Sequence, residues 1–274
     1  MKKLSILLAV ILLALSFTAC GKTESTLRAG TAEDPILCGV VGSQNEVWDF
    51  IIEKLKKEDI HVKLVVFTDY NTPNDALQNG DIDINAFQHK IFLKGYNDAN
   101  NTDIVSIGDT IVAPLGVYSK KIKSLDEFPE GGTIAIPNDP TNNGRSLILL
   151  ETAGLIKLKE DAPEIPTQAD IAENIKNIVI EELDASQTPR ALDDVDAAII
   201  NDDMAIDAGL LSTRDAIYIE EITDKSGPYL NIIAAKEENK DSEILKKIVA
   251  AYQSDDTEAK INEIYKGSRV PAWK

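Results

Sequence analysis

From Pro35 onward, short apolar runs alternate with segments whose apolar residues recur every three or four positions. Pro35–Val41, His61–Phe67 and Thr133–Pro137 are compact apolar or β-branched runs of strand length. Ile104–Ile107, Thr110–Tyr118, Ile178–Leu183, Val195–Asn201, Ile217–Ile222 and Tyr229–Ala235 read as extended on the same grounds. Between them, Val47, Phe50, Ile51 and Leu55 fall at helical spacing. Thr72-Pro73 is an N-cap followed by proline at the first helical position, and Gly80 closes that short helix. Ser124 and Glu127 have the spacing of a capping box, Thr141–Ala153 forms a helix stopped by Gly154, and another helix begins at Thr188-Pro189. The tail from Ser242 to Tyr265 is largely helical. Strands separated by short helices imply parallel pairing with helices on both faces. So many elements exceed one small sheet, and two α/β lobes are predicted.

The first residues follow another pattern. Lys2 and Lys3 precede an uncharged, mostly apolar run from Leu4 to Phe17, and Phe17-Thr18-Ala19 leads into Cys20. The run is short of the ~20 residues that a spanning helix needs, so residues 1–19 read as a cleaved export signal. The junction resembles a bacterial lipobox, in which the cysteine becomes the acylated first residue of the mature chain. One acyl chain binds membrane only marginally, and the resemblance implies a multiply acylated Cys20 and stable anchoring on the extracytoplasmic face of the cell membrane. Gly21 to Asp34 is polar and charged, as a flexible tether should be.

Composition narrows the function. The 274 residues are 43% hydrophobic, enough for a sizeable core, and carry a net charge of -18. A nucleic-acid binder needs a basic footprint, so that class is excluded. With Cys20 consumed by processing, Cys38 is left unpaired in an apolar run and reads as a small buried hydrophobe. There are only two histidines, His61 and His89. No zinc-protease, serine-hydrolase, phosphate-loop or dinucleotide motif is present, so neither an enzyme nor a bound cofactor or metal is expected. With 46 acidic residues, pairs such as Asp81/Asp83 or Asp202/Asp203 arise by accident.

Two segments exceed what structure requires. Asp69-Tyr70-Asn71-Thr72-Pro73-Asn74 precedes Asp81–His89, where the alternation of Ile82 and Ile84 ends in Phe87, Gln88 and His89, with Phe92 beyond. Strand carboxyl ends are where open α/β sheets hold ligands, although Phe87 and Phe92 as core and His89 as a helix start is the competing reading. The other is Pro137–Arg145, between a strand and a helix. Helix N–H groups favour an anion. Arg145, placed in the first turn against the dipole, asks for a partner anion, and its fork suits a carboxylate.

At these segments the chain resembles the NlpA/MetQ family of methionine-binding lipoproteins. The matching stretches are Asp69 to Leu93, Pro114 to Lys123 (PLGVYSKKIK), Ile134 to Leu158 (IAIPNDPTNNGRSLILLETAGLIKL), Ala191 to Asn201 (ALDDVDAAIIN) and Pro228 to Asn231 (PYLN). The resemblance implies a two-lobed periplasmic-binding-protein fold, α/β in class, with the ligand cleft between the lobes. One lobe would hold 35–115 plus 228–274, the other 116–227. It further implies that Arg145 binds a ligand carboxylate and that Tyr70, Phe87, His89 and Phe92 wall a side-chain slot. Asn142, Asn201 and Asn231 would hold the ammonium and carboxylate groups. The implied partners are L-methionine, or a related amino acid or methionine dipeptide, and the permease of an ABC importer, with the protein itself a monomer. The turn Gly42-Ser43-Gln44-Asn45-Glu46-Val47-Trp48 departs from the family's Gly-Pro-His-like turn; bordering the cleft, it would alter ligand preference. The competing class is an adhesion or signalling lipoprotein that keeps the fold but works through its outer surface.

Overall fold

The structure is a computed structural model that describes residues 27–274. The expected signal segment, Cys20 and residues 21–26 of the tether lie outside the described residues. The chain begins with β1 (Ile36–Val41), β2 (Val62–Phe67), β3 (Ile84–Asn85) and β4 (Ile104–Val112), joined by helices α1 (Glu46–Lys56), α2 (Pro73–Asn79) and α3 (Lys90–Asn100). It then crosses to β5 (Gly116–Tyr118), β6 (Thr133–Pro137), helix α4 (Pro140–Thr152) and the hairpin of β7 (Ile156–Leu158) with β8 (Ile171–Asn174). There follow β9 (Val179–Leu183), α5 (Thr188–Ala191), β10 (Ala197–Ile200), α6 (Asp202–Asp207), α7 (Ser212–Asp215) and β11 (Tyr218–Ile219). The return brings β12 (Leu230–Lys236), α8 (Glu243–Tyr252), α9 (Asp255–Tyr265) and β13 (Val270–Pro271).

Two large sheets result, in the orders β13-β4-β12-β3-β1-β2 and β11-β5-β10-β6-β9, beside the two-stranded sheet of β7 and β8. Each large sheet is the heart of one lobe. The expectation of parallel pairing holds only for part of each sheet. β1 pairs parallel with β2 and β3, and β6 with β9 and β10, but β12 is antiparallel to β3 and β4, and β5 to β10 and β11. The reason lies in the crossovers. Strands followed by a return helix run toward the cleft, whereas β5 and β12 enter their sheets from the cleft and must run away from it. The expected single run Thr110–Tyr118 is split for the same reason: Pro114, which has no N–H to give a ladder, marks the change of sheet.

Local signals explain the element ends. Gly80 and Gly154 follow their helices at φ 80° and 74°, the left-handed region where a residue without Cβ is unstrained. The C-terminal tail forms two helices, broken after Tyr252. One apolar cluster lies under α1, α8 and α9 and another fills the second lobe. A third spans the lobes, joining Val41, Tyr70 and Phe87 to Tyr118, Leu192 and Met204. Cys38 is fully buried within the first cluster, and burial pushes its thiol pKa up, so it stays protonated.

Candidate ligand site between the lobes

The strands that run to the cleft deliver side chains to one place. Tyr70 follows β2, Phe87 and His89 follow β3, and Phe92 lies in the first turn of α3. From the other lobe come Asn142 and Arg145 on α4, and Asn201 just after β10; Asn231 sits on the returning β12. All eight line a single cavity, together with Gln88, Ala113, Asp202 and Asp203.

One wall is aromatic. The rings of Tyr70 and Phe87 stack at 5.9 Å, and Phe92 meets them edge-on at 6.3 and 5.8 Å. His89 adds a perpendicular contact to Phe92 at 6.0 Å. His89 is also the N-cap of α3: its Nδ1 accepts the Phe92 backbone N–H at 3.1 Å. That leaves Nε2 as the protonated nitrogen, which donates across the cleft to Asn142 Oδ1 at 3.3 Å. Burial, reinforced by the positive charge of Arg145, lowers the imidazole pKa to about 3. The ring is therefore a neutral strut between the lobes. Buried Gln88 and Asn74, bonded to each other and to Asn85, brace the loop that carries it.

The opposite wall is polar. Asp139 caps α4 by accepting from the Asn142 backbone N–H at 3.0 Å, and it also holds the Asn142 amide nitrogen at 2.9 Å. Asn142 Oδ1 accepts from both His89 and Asn201, the latter at 2.9 Å. This amide is thus occupied at both ends and aligns its two neighbours. Arg145 sits in the second turn of α4, five residues after its start at Pro140, rather than in the first turn. Its partner anion belongs to the protein. Glu220 accepts from Arg145 Nε at 2.9 Å and from Nη2 at 2.5 Å, and Ala113 carbonyl accepts from Nη2 at 3.0 Å. Tyr229 lies under the guanidinium at 4.3 Å, within cation–π range. Nη1 alone makes no hydrogen bond among the described residues.

Glu220 and Tyr229 were not singled out from sequence. Glu220 carries no local signal, being one acidic residue among many beyond β11. Tyr229 sits in the PYLN stretch, where only Asn231 was marked. Glu220 also binds both faces of the crossover, since its Oε2 accepts from Leu115 N–H at 2.9 Å and its own N–H donates to Leu115 carbonyl at 2.9 Å. Arg145 therefore clamps the two chain segments that connect the lobes.

The lobes are drawn together by polar pairs around the cavity. Arg269 near the C-terminus donates to Asp202 and Asp203 of the second lobe, each at 2.5 Å. Ser43 N–H and Oγ donate to Asp207 at 2.8 and 3.0 Å, and Asn71 donates to Asp184 at 3.2 Å. The unusual turn at Gly42–Trp48 thus takes part in closure. Its Gln44, Asn45, Val47 and Trp48 line a neighbouring chamber that shares Phe87, Ala113, Asp203 and Asn231 with the first cavity.

Two α/β lobes, connected by two crossovers and closed over a half-aromatic, half-charged cavity at their strand ends, define the class of two-lobed solute-binding proteins. Residues 36–273 match the NlpA lipoprotein family, and the chain belongs to it. A D-methionine-binding lipoprotein MetQ of Salmonella typhi is 46% identical over 267 residues, covering 95% of this chain and 94% of that protein. A nutrient binding protein of Burkholderia cenocepacia, whose structure holds methionine, superposes with a TM-score of 0.82 at 46% identity, over 86% of this chain and 99% of that one. The substrate binding protein of a methionine transporter from Streptococcus pneumoniae gives 0.82 at 41% identity, over 87% of this chain and 95% of that one.

Proposed function

We propose that the protein is a lipid-anchored, extracytoplasmic binding protein that captures L-methionine, or a close amino-acid relative, and hands it to the permease of an ABC importer. The observation that carries this reading is the two-sided cavity. A zwitterion leaving water needs both charges met, and a flexible thioether suits aromatic edges. Tyr70, Phe87, His89 and Phe92 form the slot for the thioether side chain. Nη1 of Arg145 takes the carboxylate, sharing its guanidinium with Glu220, while Asn201 and Asn231 complete the polar end and Asn142 aligns Asn201 and His89. The moving bodies are residues 35–115 with 228–274, and residues 116–227, and the protein works as a monomer. The names of the relatives point the same way: methionine appears in all three.

Thermal melting of ligand-stripped protein tests the reading against every common amino acid, both hands of methionine and methionine dipeptides. A ligand that binds only the folded state adds ~2.7 kcal/mol at a hundredfold excess over its Kd, or about 5–10 °C for a domain of this size. One or a few sulfur compounds should stand out. A flat response across the panel overturns the transport reading in favour of a lipoprotein that works through its surface.

A further inference from the structure

Two buried acceptors in the cavity wall have no partner. Asn201 is 8% exposed and Asp202 5%, yet Asn201 Oδ1 and Asp202 Oδ1 accept no hydrogen bond among the described residues. Neighbouring atoms of the same side chains are satisfied: Asn201 Nδ2 donates to Asn142, and Asp202 Oδ2 accepts from Arg269. Buried carboxylate and amide oxygens left bare are costly, and both residues line the cavity.

Charge points the same way. Around the cavity stand two guanidinium groups, Arg145 and Arg269, and three carboxylates, Glu220, Asp202 and Asp203. Arg145 is matched by Glu220, while Arg269 is shared between two aspartates. One negative charge is left over, and the bare oxygen of Asp202 is where it is least compensated.

We infer that Asp202 Oδ1, with Asn201 Oδ1 beside it, is the seat of the ligand's ammonium group, and that the site selects ligands with a free primary amine. The assignment rests on the amino-acid-binding reading above and adds to it a charged residue that neither the composition nor the resemblance marked. An ammonium has three N–H donors and no acceptor, so it offers donors to both bare oxygens and meets the charge at Asp202 locally, while the ligand's carboxylate lies at the Arg145 end. Burial raises the Asp202 pKa and takes that of Asp203 to about 6, which fits a carboxylate pair short of one cation. A ligand whose amine is acylated offers neither the charge nor the donors, so N-acetylated amino acids are rejected while the free amino acid, and peptides that begin with it, are admitted.

Titration calorimetry decides it, with methionine, N-acetylmethionine and the amine-free analogue 4-(methylthio)butanoate. On the wild-type protein, both analogues should bind at least tenfold more weakly than methionine. Asp202→Asn should weaken methionine at least tenfold and leave the amine-free analogue unchanged. Asp207→Asn, which loosens a bond between the lobes at a residue that does not line the cavity, serves as the control and should not discriminate between methionine and its amine-free analogue. If Asp202→Asn binds methionine within about threefold of wild type, or if wild type binds the amine-free analogue as well as methionine, the assignment is overturned while the binding function stands. If the wild type binds methionine not at all, the function falls and the ammonium seat with it. The analogue comparison needs only the wild-type protein, so the inference remains falsifiable even where a variant fails to fold.

Discussion

Glu220→Gln tests whether the clamp on Arg145 belongs to the empty protein, to the ligand, or to both. The substitution preserves shape and removes the anion. Arg145 is only 4% exposed and donates two of its bonds to Glu220. The new amide has one acceptor oxygen where the carboxylate had two. It either keeps Leu115 N–H and turns its NH2 toward the guanidinium, or faces Arg145 with oxygen and leaves Leu115 N–H bare. Breaking a buried pair from one side costs about 3–5 kcal/mol, and the 20% exposure of the Glu220 side chain places this case at the low end. A loss near 3 kcal/mol lowers the melting temperature of a domain this size by about 6–12 °C. With the anion gone, a ligand carboxylate meets the whole fork instead of Nη1 alone. Methionine should therefore raise the melting temperature of the variant by more than it raises that of the wild type. Differential scanning calorimetry with and without saturating methionine reads both numbers. Equal ligand shifts in the two proteins would refute the carboxylate role of Arg145 and leave it a structural clamp of the crossovers.

Three further outcomes follow from the same geometry. Phe87→Ala should weaken methionine more than tenfold in calorimetry. The empty variant should lose well under the ~3–5 kcal/mol of a fully packed phenylalanine, since one side of the ring faces the cavity; a full loss of stability with little loss of affinity would mark Phe87 as core. His89 has a folded pKa near 3 against an ordinary 6.5, so the unfolded chain takes up the proton first and the contribution of His89 to stability, complete above pH 6.5, is lost as pH falls toward 3. Asp203, raised to about 6, acts in the opposite sense, its contribution fading as pH rises from 3.8 to 6. It does so in the wild type and in His89→Gln alike, so the variant should show a drop between pH 7 and 4.5 that is smaller by about 2–3 kcal/mol in denaturant melts, and an unchanged drop would mean His89 is not the titrating group. Cys20→Ser should abolish acylation; if mass spectrometry of the wild-type N-terminal peptide from its native host shows no added lipid, the anchoring reading is wrong.

How much of this was legible in the sequence depends on the range over which each signal acts. β1, β6 and α4 are announced within a dozen residues, by apolar runs and a Pro–Gly bracket, and their ends fall within a residue or two of expectation. The strand-end residues that line the cavity stood out in the sequence as a phenylalanine, an amide and an imidazole in a row, although His89 also caps α3 and Gln88 also braces its loop. The direction of β5 and β12 was hidden, since an apolar strand reads the same both ways and only the crossover decides. Glu220, Asp202 and Arg269 were hidden for a related reason. Each acquires meaning from a partner tens of residues away, Arg269 lying 67 positions from Asp202 and Glu220 75 from Arg145, and a chain rich in acidic residues masks the few that are buried. Burial converts these three from solvated charges into constraints. It forces every cation to find an anion, and the one oxygen left over then defines what kind of ligand can finish the set. The residues most diagnostic of the ligand's charge are thus the ones a local reading discards first, because their information lies in the accounting of charge across two lobes rather than in any motif.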